Sequence, residues 1–532
     1  MAKQLDYLPL ENFGINGLNL QSNPATLDQT YLTTADNVVM RESGRISFRK
    51  GLKQKVVPTG TAIGSMVEHN DSGTNKIFAS YGTSIYTVDF TSPNTAFPSS
   101  GADVKHTVVN STGNWQFINF NERLHCFHSG IVPQRYDGAL GSGSKWAAFN
   151  NSTKPSGVTT FDPSCGMGAY GRVWVGGVSE APDVVFYSVL LDGDDWTGTG
   201  SGSIDLKTVW GNDEIVALAP FYGQLVIFGK NNIVLYDGPE SGGTLSLNEV
   251  IRGVGCVARD SVQAIADDLV FLSETGLRSL ARTTEKDKLP LQDLSLAIKD
   301  TLIRNIAVST NVKSVYLENE GIYLMTFTDK NITYVFDFKH ATPAGTPRVT
   351  TWTFGNDREP SCMIQSVLYA GLVAGQKDGG IAGYEGYFDT DLAWVSSAAS
   401  YTNAPINADI SSIWIRMGER VSASLLKRMI LILEGGSGAT LGLRWYKDYS
   451  MNSSATTEIS LQPATTGTTA LWGASTSLYG ASKFTPIYGL QEYTTPLSGS
   501  AKYLKLNLSI LSNGYDTSIQ DLAIISKQGK IR

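Results

Sequence analysis

Ile215-Val-Ala-Leu-Ala-Pro-Phe-Tyr222-Gly223-Gln224-Leu225-Val226-Ile227-Phe228-Gly229, followed by Asn232-Ile-Val-Leu-Tyr236-Asp237-Gly238, is the stretch that decides the fold. Apolar and β-branched residues fill short runs, and a tight turn at Gly223-Gln224 breaks the first of them. The stretch reads as strand, turn, strand, turn, strand. The same grammar occurs at Phe117–Gly138 with the turn Asn121-Glu122-Arg123, and at Met167–Ser188 with Tyr170-Gly171-Arg172. It also occurs at Ile77–Phe90, where Tyr81-Gly82-Thr83 precedes Ile85-Tyr86-Thr87-Val88. Looser copies lie at Ala264–Leu280, Val315–Asp337 and Leu368–Gly386. Turns near residues 82, 122, 171, 223, 268, 320 and 370 are spaced by about 40 to 52 residues, the length of a propeller blade. An isolated three- or four-stranded sheet cannot bury both faces, whereas a ring of sheets stacks each on its neighbour. The expectation is an all-β chain with a β-propeller of about seven blades (six to eight). Stacked sandwiches are the structural alternative.

The flanks do not carry the repeat. Residues 1–60 read as an N-terminal arm and docking segment, residues 61–400 as the propeller, and residues 401–532 as a C-terminal β-sandwich-like domain. The last contains long alternating strands such as Lys427–Glu434, Leu441–Tyr446 and Tyr503–Leu511, and a Thr/Gly/Ser-rich loop at Thr456–Ser477. Asp293–Ile303 alone has a helical apolar stripe.

Composition agrees with a turn-rich all-β protein: 532 residues include 54 Gly, 10% aromatics, 42% hydrophobic and only 17% charged residues. The net charge of −7 argues against a protein that wraps a phosphate backbone. The charge is uneven, since residues 401–532 hold 12 Lys and Arg against 8 Asp and Glu, and residues 1–400 carry the deficit. An acidic body fits a passage through which nucleic acid slides without sticking; an ordinary solvated surface is the simpler reading. The amino terminus lacks the basic and apolar regions of a secretory signal, and no apolar run reaches membrane-spanning length. Cys126, Cys165, Cys256 and Cys362 stand far apart, so buried free thiols of a reducing cytoplasm are expected.

Several residues invite chemistry. Arg41, Arg45, Arg49 and Lys50 make the arm basic, and on an extended segment Arg45 and Arg49 face one side. They are the candidate partner-binding residues, gripping an acidic neighbouring subunit or an adaptor; a charge-guarded edge strand is the competing reading. Asp192, Asp194, Asp213 and Glu214 are the candidate carboxylates for a glycoside-cleaving propeller, which needs two of them to converge. Asp192-Gly193-Asp194-Asp195-Trp196 also offers clustered oxygens for Ca²⁺, against a blade-edge turn. His125 and His128 sit three apart on a strand and point to opposite faces, which argues against a shared metal. Gly141-Ser-Gly143-Ser and Gly200-Ser-Gly202-Ser read as loops, not phosphate cradles. No catalytic residue, metal site or cofactor is expected.

Taken in order, Gly14-Ile-Asn-Gly17, Asn23-Pro24, Asp36-Asn37-Val38, Gly44-Arg45-Ile46 and Arg49-Lys50-Gly51 resemble the tail nozzle proteins of short-tailed bacteriophages. These are also called tail tubular or packaged-DNA stabilisation proteins. Pro182–Ser188 with Asp195-Trp196, the blade Ile215–Gly238, Gly253-Val-Gly255-Cys256, Ser261-Val262 and Phe271–Leu277 continue the resemblance to about residue 390. The resemblance implies a non-enzymatic virion protein, made in the host cytoplasm and placed in the tail. It implies a homo-oligomeric ring of about six copies below the portal–adaptor complex, which holds packaged DNA, conducts it during ejection and mounts fibres or spikes. The chain is shorter than some nozzle proteins, which puts a long distal tip in doubt.

Overall fold

The computed structural model describes residues 5–528 apart from 42–43, 57–59, 89–104, 141–143, 240–244, 282–292, 310, 356–357, 396–399, 419–421, 436–438, 462–489, 513 and 515. Residues 141–143 and most of the loop 456–477 therefore lie outside the described residues. The chain divides into two compact units. One comprises residues 54–333 and 354–383, the other residues 1–53, 334–353 and 384–532.

The first unit is the propeller. Its sheets are antiparallel meanders in chain order: Ile63–Asp71 to Lys105–Thr107, Gln116–Phe120 to Trp146–Ala148, Cys165–Ala169 to Gly202–Asp205, and Ser246–Arg252 closing the sheet that opens at Ile215–Phe221. A three-stranded sheet, Gln263–Ile265 to Gly276–Ser279, follows. The last sheet runs from Pro360–Ser366 to Ile381–Tyr384, and its fourth strand is Leu52–Val56 from the far end of the sequence. Between these two stands the hairpin Val312–Leu317 with Ile322–Phe327. First strands pack beside first strands, except that Ile215–Phe221 meets the next sheet through the turn Arg259–Ser261, and Pro360–Ser366 lies against Ile63–Asp71, so the ring closes.

Burial explains the stacking. Phe78, Ile85, Leu124 and Tyr136 form one apolar layer, and Trp174, Ile215, Leu225 and Val234 form another. Both sheet faces are therefore apolar, as a stacked ring requires. The turns between first and second strands repeat a geometry as well as a spacing. Positive φ falls at Ser72-Gly73, Asn121-Glu122, Tyr170-Gly171 and Tyr222-Gly223, the backbone that the right-handed twist of a two-residue hairpin demands. The first copy is thus out of phase with the sequence reading. Tyr81-Gly82 joins the second and third strands of its sheet, and the turn equivalent to residues 122, 171 and 223 is Ser72-Gly73. Where successive sheets meet, Gly64 leaves no room for a side chain, since a Cβ would come within 2.2 Å of the Gly113 carbonyl oxygen.

The second unit is a β-sandwich-like domain, and it absorbs the N-terminal segment. Asp6–Pro9 pairs with Thr517–Gln528, and the hairpin Val38–Met40 with Ile46–Phe48 extends the same sheet through Ile46 and Ser47. Leu32–Asp36 lies between Pro347–Trp352 and Ile406–Ser412. The division expected at residues 60 and 400 is therefore replaced by one in which residues 1–53, 334–353 and 384–532 fold together. The physical reason is sheet completion: isolated arm strands would expose unpaired backbone groups that the C-terminal strands satisfy.

The expected helix is also displaced. Residues Leu296–Ile298 form a 3-10 turn and Lys299–Val308 the helix. Upstream, the Leu294 amide donates to the Leu277 carbonyl at 2.9 Å and the Leu277 amide to Ser295 Oγ at 3.0 Å. Residues 294 and 295 thus serve as an edge for the fifth sheet instead of a first helical turn. Gly202, expected in a loop, begins a strand.

Candidate functional site

A cluster of buried charges lies at the axis of the propeller. Arg259–Ser261 is a 3-10 turn leading into the strand Gln263–Ile265. Ser261 pins it: its hydroxyl donates to the Ala258 carbonyl at 2.6 Å and accepts from the Leu272 amide at 3.1 Å. The Tyr323 hydroxyl donates to the Ser261 carbonyl at 2.8 Å. Fixed this way, Arg259 and Asp260 project toward the first strands of other sheets. Arg259 donates through Nε and Nη2 to the Asp260 carboxylate at 2.8 and 3.0 Å, through Nη1 to the Ser164 carbonyl at 2.7 Å, and through Nη2 to Asn114 Oδ1 at 3.3 Å. Lys313, on the next repeat, reaches Asp260 Oδ2 at 2.5 Å and Asn114 Oδ1 at 2.6 Å.

Two adjoining cavities touch Arg259 and Asp260. One, of 330 Å³, is lined by Thr112, Asn114, His128 and Asn311, and the other, of 270 Å³, by Trp115, Gln116, Gln263 and Lys313. Burial alone would raise the Asp260 pKa, but the Arg259 and Lys313 cations reverse this and hold the carboxyl well below the usual range. A quarter of the Asp260 side chain opens on cavity, while the sheets packed around it set its electrostatics. Such a carboxylate stays ionised and is a poor proton donor; with Asn114, Ser164 and Lys313 the arrangement ties four repeats together at the axis.

The residues singled out in the sequence scatter. Arg41 pairs with Asp516 and Arg45 with Glu434, each at 2.8 Å and near half exposure. Arg49 goes inside instead of sharing a face with Arg45. It is 1% exposed, donates bidentately to Asp389 at 2.9 and 3.1 Å, and also donates to Asn37 Oδ1 and to the Lys50 and Thr353 carbonyls. Lys50 lies over the Tyr384 ring at 5.7 Å. Arg49 therefore has no surface to offer a partner, and the docking expectation narrows to Arg41, Arg45 and Lys50.

Among the candidate carboxylates, Asp194 contacts Arg123 and Arg135, with His125 at 4.0 Å. Asp213 instead accepts from the amides of Glu214, Lys230 and Asn231 and from the Asn232 side chain, while Glu214 pairs with Lys230. Asp192 accepts from the Asp194 amide, and Asp195 Oδ1 from the Thr197 and Gly198 amides, the hydrogen bonding of turns. Trp196 is buried behind them. Asp213 and Glu214 both engage Lys230, and Asp192 and Asp194 both lie near His125, but no partner is shared between the two pairs. Sequence reading missed Arg259, Asp260 and Lys313. A usable signal existed, because Asp260 and Lys313 lie 53 residues apart, about one repeat, beside the first strands of successive blades.

His125 donates no hydrogen bond through Nε2 among the described residues and is buried. Burial pushes its pKa down to about 4, assisted by Arg123 and Arg135 and opposed by Asp194 and Asp192. His69, His106 and His128 are lowered as well, in each case chiefly by burial. All four lie in the first two sheets. Their contribution to stability is fully present above the unfolded pKa of about 6.5 and is lost as pH falls toward 4, because the unfolded chain takes up protons first. The urea midpoint of the propeller unit should fall across that window, and His125→Asn should flatten the fall. An unchanged slope in the variant would show that His125 is not among the responsible groups.

The four cysteines are buried and unpaired, and burial raises their thiol pKa values, to about 12 for Cys165 and Cys362 and about 11 for Cys256. Among the described residues, no group of three His, Cys, Asp or Glu side chains is placed to hold a metal, and no helix is long and apolar enough to cross a membrane.

No family model matches the chain, and no curated protein matches it. Among solved structures the chain is similar to PorZ, a bacterial surface component of the type-IX secretion system of Porphyromonas gingivalis, at 10% identity and a TM-score of 0.35. The likeness covers 65% of this chain and spans 38% of PorZ.

Proposed function

We propose that the chain is a non-enzymatic subunit of a tail nozzle ring of a short-tailed bacteriophage. In that role it extends the DNA channel below the portal and adaptor, retains packaged DNA and conducts it on ejection. The ordered motifs between residues 10 and 390 support the reading. The observation that carries it is the charge partition between the units. The propeller unit holds 22 Lys and Arg against 32 Asp and Glu, a formal −10, which leaves +3 for the sandwich unit. Subunits that turn acidic surface toward an axial passage repel the phosphate backbone, so DNA slides without binding. Arg41, Arg45 and Lys50 then sit on the opposite-sign unit, suited to acidic neighbours in a ring. The competing reading, a carbohydrate-binding or glycoside-cleaving propeller, needs convergent carboxylates free to act, whereas Asp194 is held by Arg123 and Arg135 and Glu214 by Lys230.

The test is the mass of the purified chain in solution with and without a short-tailed-phage portal–adaptor complex, followed by negative-stain imaging. Rings of about six copies, alone or on the complex, are expected. A monomer that ignores the complex, or rings whose lumen is strongly basic, would overturn the reading.

A further inference from the structure

The sandwich unit carries a second feature, beyond the nozzle reading. In the strand Tyr503–Ser512, Leu504, Leu506, Leu508 and Ile510 are buried, so Tyr503, Lys505, Asn507, Ser509 and Leu511 point outward. The neighbours in register share that face. Asn407, Asp409 and Ser411 stand opposite Leu511, Ser509 and Asn507 on one side. Thr440, Gly442 and Arg444 stand opposite the same three residues on the other. All of these but the buried Ser411 join Thr456 and Glu458 around Asn507, Ser509 and Leu511 in lining a groove of 630 Å³.

Its polar groups are held by one another. Asn507 Nδ2 donates to Asp409 at 2.5 Å and to Ser411 Oγ at 2.9 Å, Ser509 Oγ donates to Asn407 Oδ1 at 3.0 Å, and Arg444 Nε donates to Thr456 Oγ1 at 2.7 Å. Asp409 and Glu458 balance Arg444 and Lys505, so the face mixes donors and acceptors without a net sign.

Four residues along the same strand from Asn507, about 13 Å, Tyr503 begins an aromatic shelf. Its ring lies 4.9 Å from that of Tyr449, which lies 4.9 Å from Trp414. Tyr449 is 47% exposed at the tip of a hairpin, where Asp448 and Tyr449 both adopt positive φ. The Asp448 carboxylate accepts from the Lys502 and Tyr503 amides at 2.7 and 3.0 Å, which locks that tip beside Tyr503. Backbone strain of this kind persists only when its surroundings hold it.

We propose that this outward face binds an uncharged carbohydrate chain, with sugar rings stacked on the Tyr449 shelf and hydroxyls paired with the Asn507–Asp409–Arg444 groove. The chemistry selects that class. A sugar ring offers an apolar C–H face to an aromatic ring, and hydroxyls that donate and accept at once to amide, carboxylate and guanidinium groups. A charge-neutral groove gives no advantage to a polyanion, and a ladder of side-chain hydrogen-bonding groups along its floor suits hydroxyls better than the apolar core of a protein interface.

The experiment is affinity electrophoresis of the full-length chain through gels containing a neutral α-glucan, β-glucan, galactomannan or bacterial O-chain polysaccharide, with the acidic polysaccharide alginate as comparison. Retardation is expected with at least one neutral polymer. Tyr449→Ala and Asn507→Ala should each weaken it about tenfold, the size of one lost stack or hydrogen-bonded contact. Both are surface changes, and unchanged melting temperatures confirm folding; Arg41→Ala, elsewhere in the same unit, should leave retardation intact. Migration unaffected by every neutral polymer, or retardation that survives both variants, overturns the proposal. A change in solution mass on Tyr449→Ala, without any glycan effect, overturns it in favour of contact between copies of the chain. Retardation by alginate alone would do so in favour of simple charge attraction.

Discussion

Replacing Arg49 with Met is expected to destabilise the sandwich unit by about 3–5 kcal/mol, the range for breaking one side of a buried ion pair. The guanidinium is enclosed, with 1% exposure, and its partner Asp389 is only 13% exposed. Removing Arg49 strips Asp389 of its counter-charge, and the only other described hydrogen bond to that carboxylate comes from the Leu52 amide at 2.8 Å. It also leaves the Thr353 carbonyl and Asn37 Oδ1 each short of a donor. Urea unfolding measures the loss, and hydrogen exchange at residues 32–53 and 384–389 locates it. Asp389→Asn should cost less, since an amide can still accept from Arg49, and the double variant Arg49→Met with Asp389→Leu should recover part of the deficit by removing both charges together. A shift below about 1 kcal/mol would match an exposed pair instead and contradict the enclosed geometry. By contrast, Arg45→Met should change stability by less than about 1 kcal/mol, because its pairing with Glu434 is solvent-screened.

That difference between Arg45 and Arg49 marks where sequence reading stops. Local signals carried far: Gly171 and Gly223 announce their turns because few residues tolerate positive φ, and the spacing between them announces repetition, although the second turn falls at Tyr222-Gly223, one residue before the expected Gly223-Gln224. The first copy slipped by one strand because Tyr81-Gly82 imitates those dipeptides in a different connection, whereas Ser72-Gly73, the true equivalent, lacks the aromatic. The arm was misread for a deeper reason. Ile46 pairs with Ile519 and Leu32 with Ser412, separations of several hundred residues that no local periodicity encodes. Arg45 and Arg49 sit in that arm, and their environments follow from the distant strands. The displaced helix has the same cause in miniature, since Leu294 and Ser295 satisfy Leu277 from outside their own segment. Of the candidate sites, the charged cluster at the propeller axis was hidden because its members are spread over separate blades, and the outward groove because its strands come from both ends of the last 130 residues.

Asp260→Asn is expected to destabilise the propeller unit by a comparable amount, about 3–5 kcal/mol at neutral pH. The substitution keeps the side-chain shape but removes the carboxylate that pairs with Arg259 and Lys313, leaving two cations facing a neutral amide around Asn114. pH separates this electrostatic cause from a packing defect. The folded pKa of Asp260 is depressed, so its contribution is complete above the unfolded carboxyl range of about 4 and disappears only as pH falls through the lower folded value. The gap between wild type and Asp260→Asn should therefore stay constant from pH 7 to about 5 and close in stronger acid, a window below that of the four buried histidines. Adding Lys313→Met to Asp260→Asn should restore part of the stability by removing one of the uncompensated cations. If the gap stayed constant down to strong acid, or if Lys313→Met made matters worse, the loss would belong to shape and not to charge. The axial cluster would then be packing that happens to be polar, whereas a gap that closes with acid makes it the electrostatic tie that holds Arg259, Lys313 and Asn114, from three repeats, in one ring.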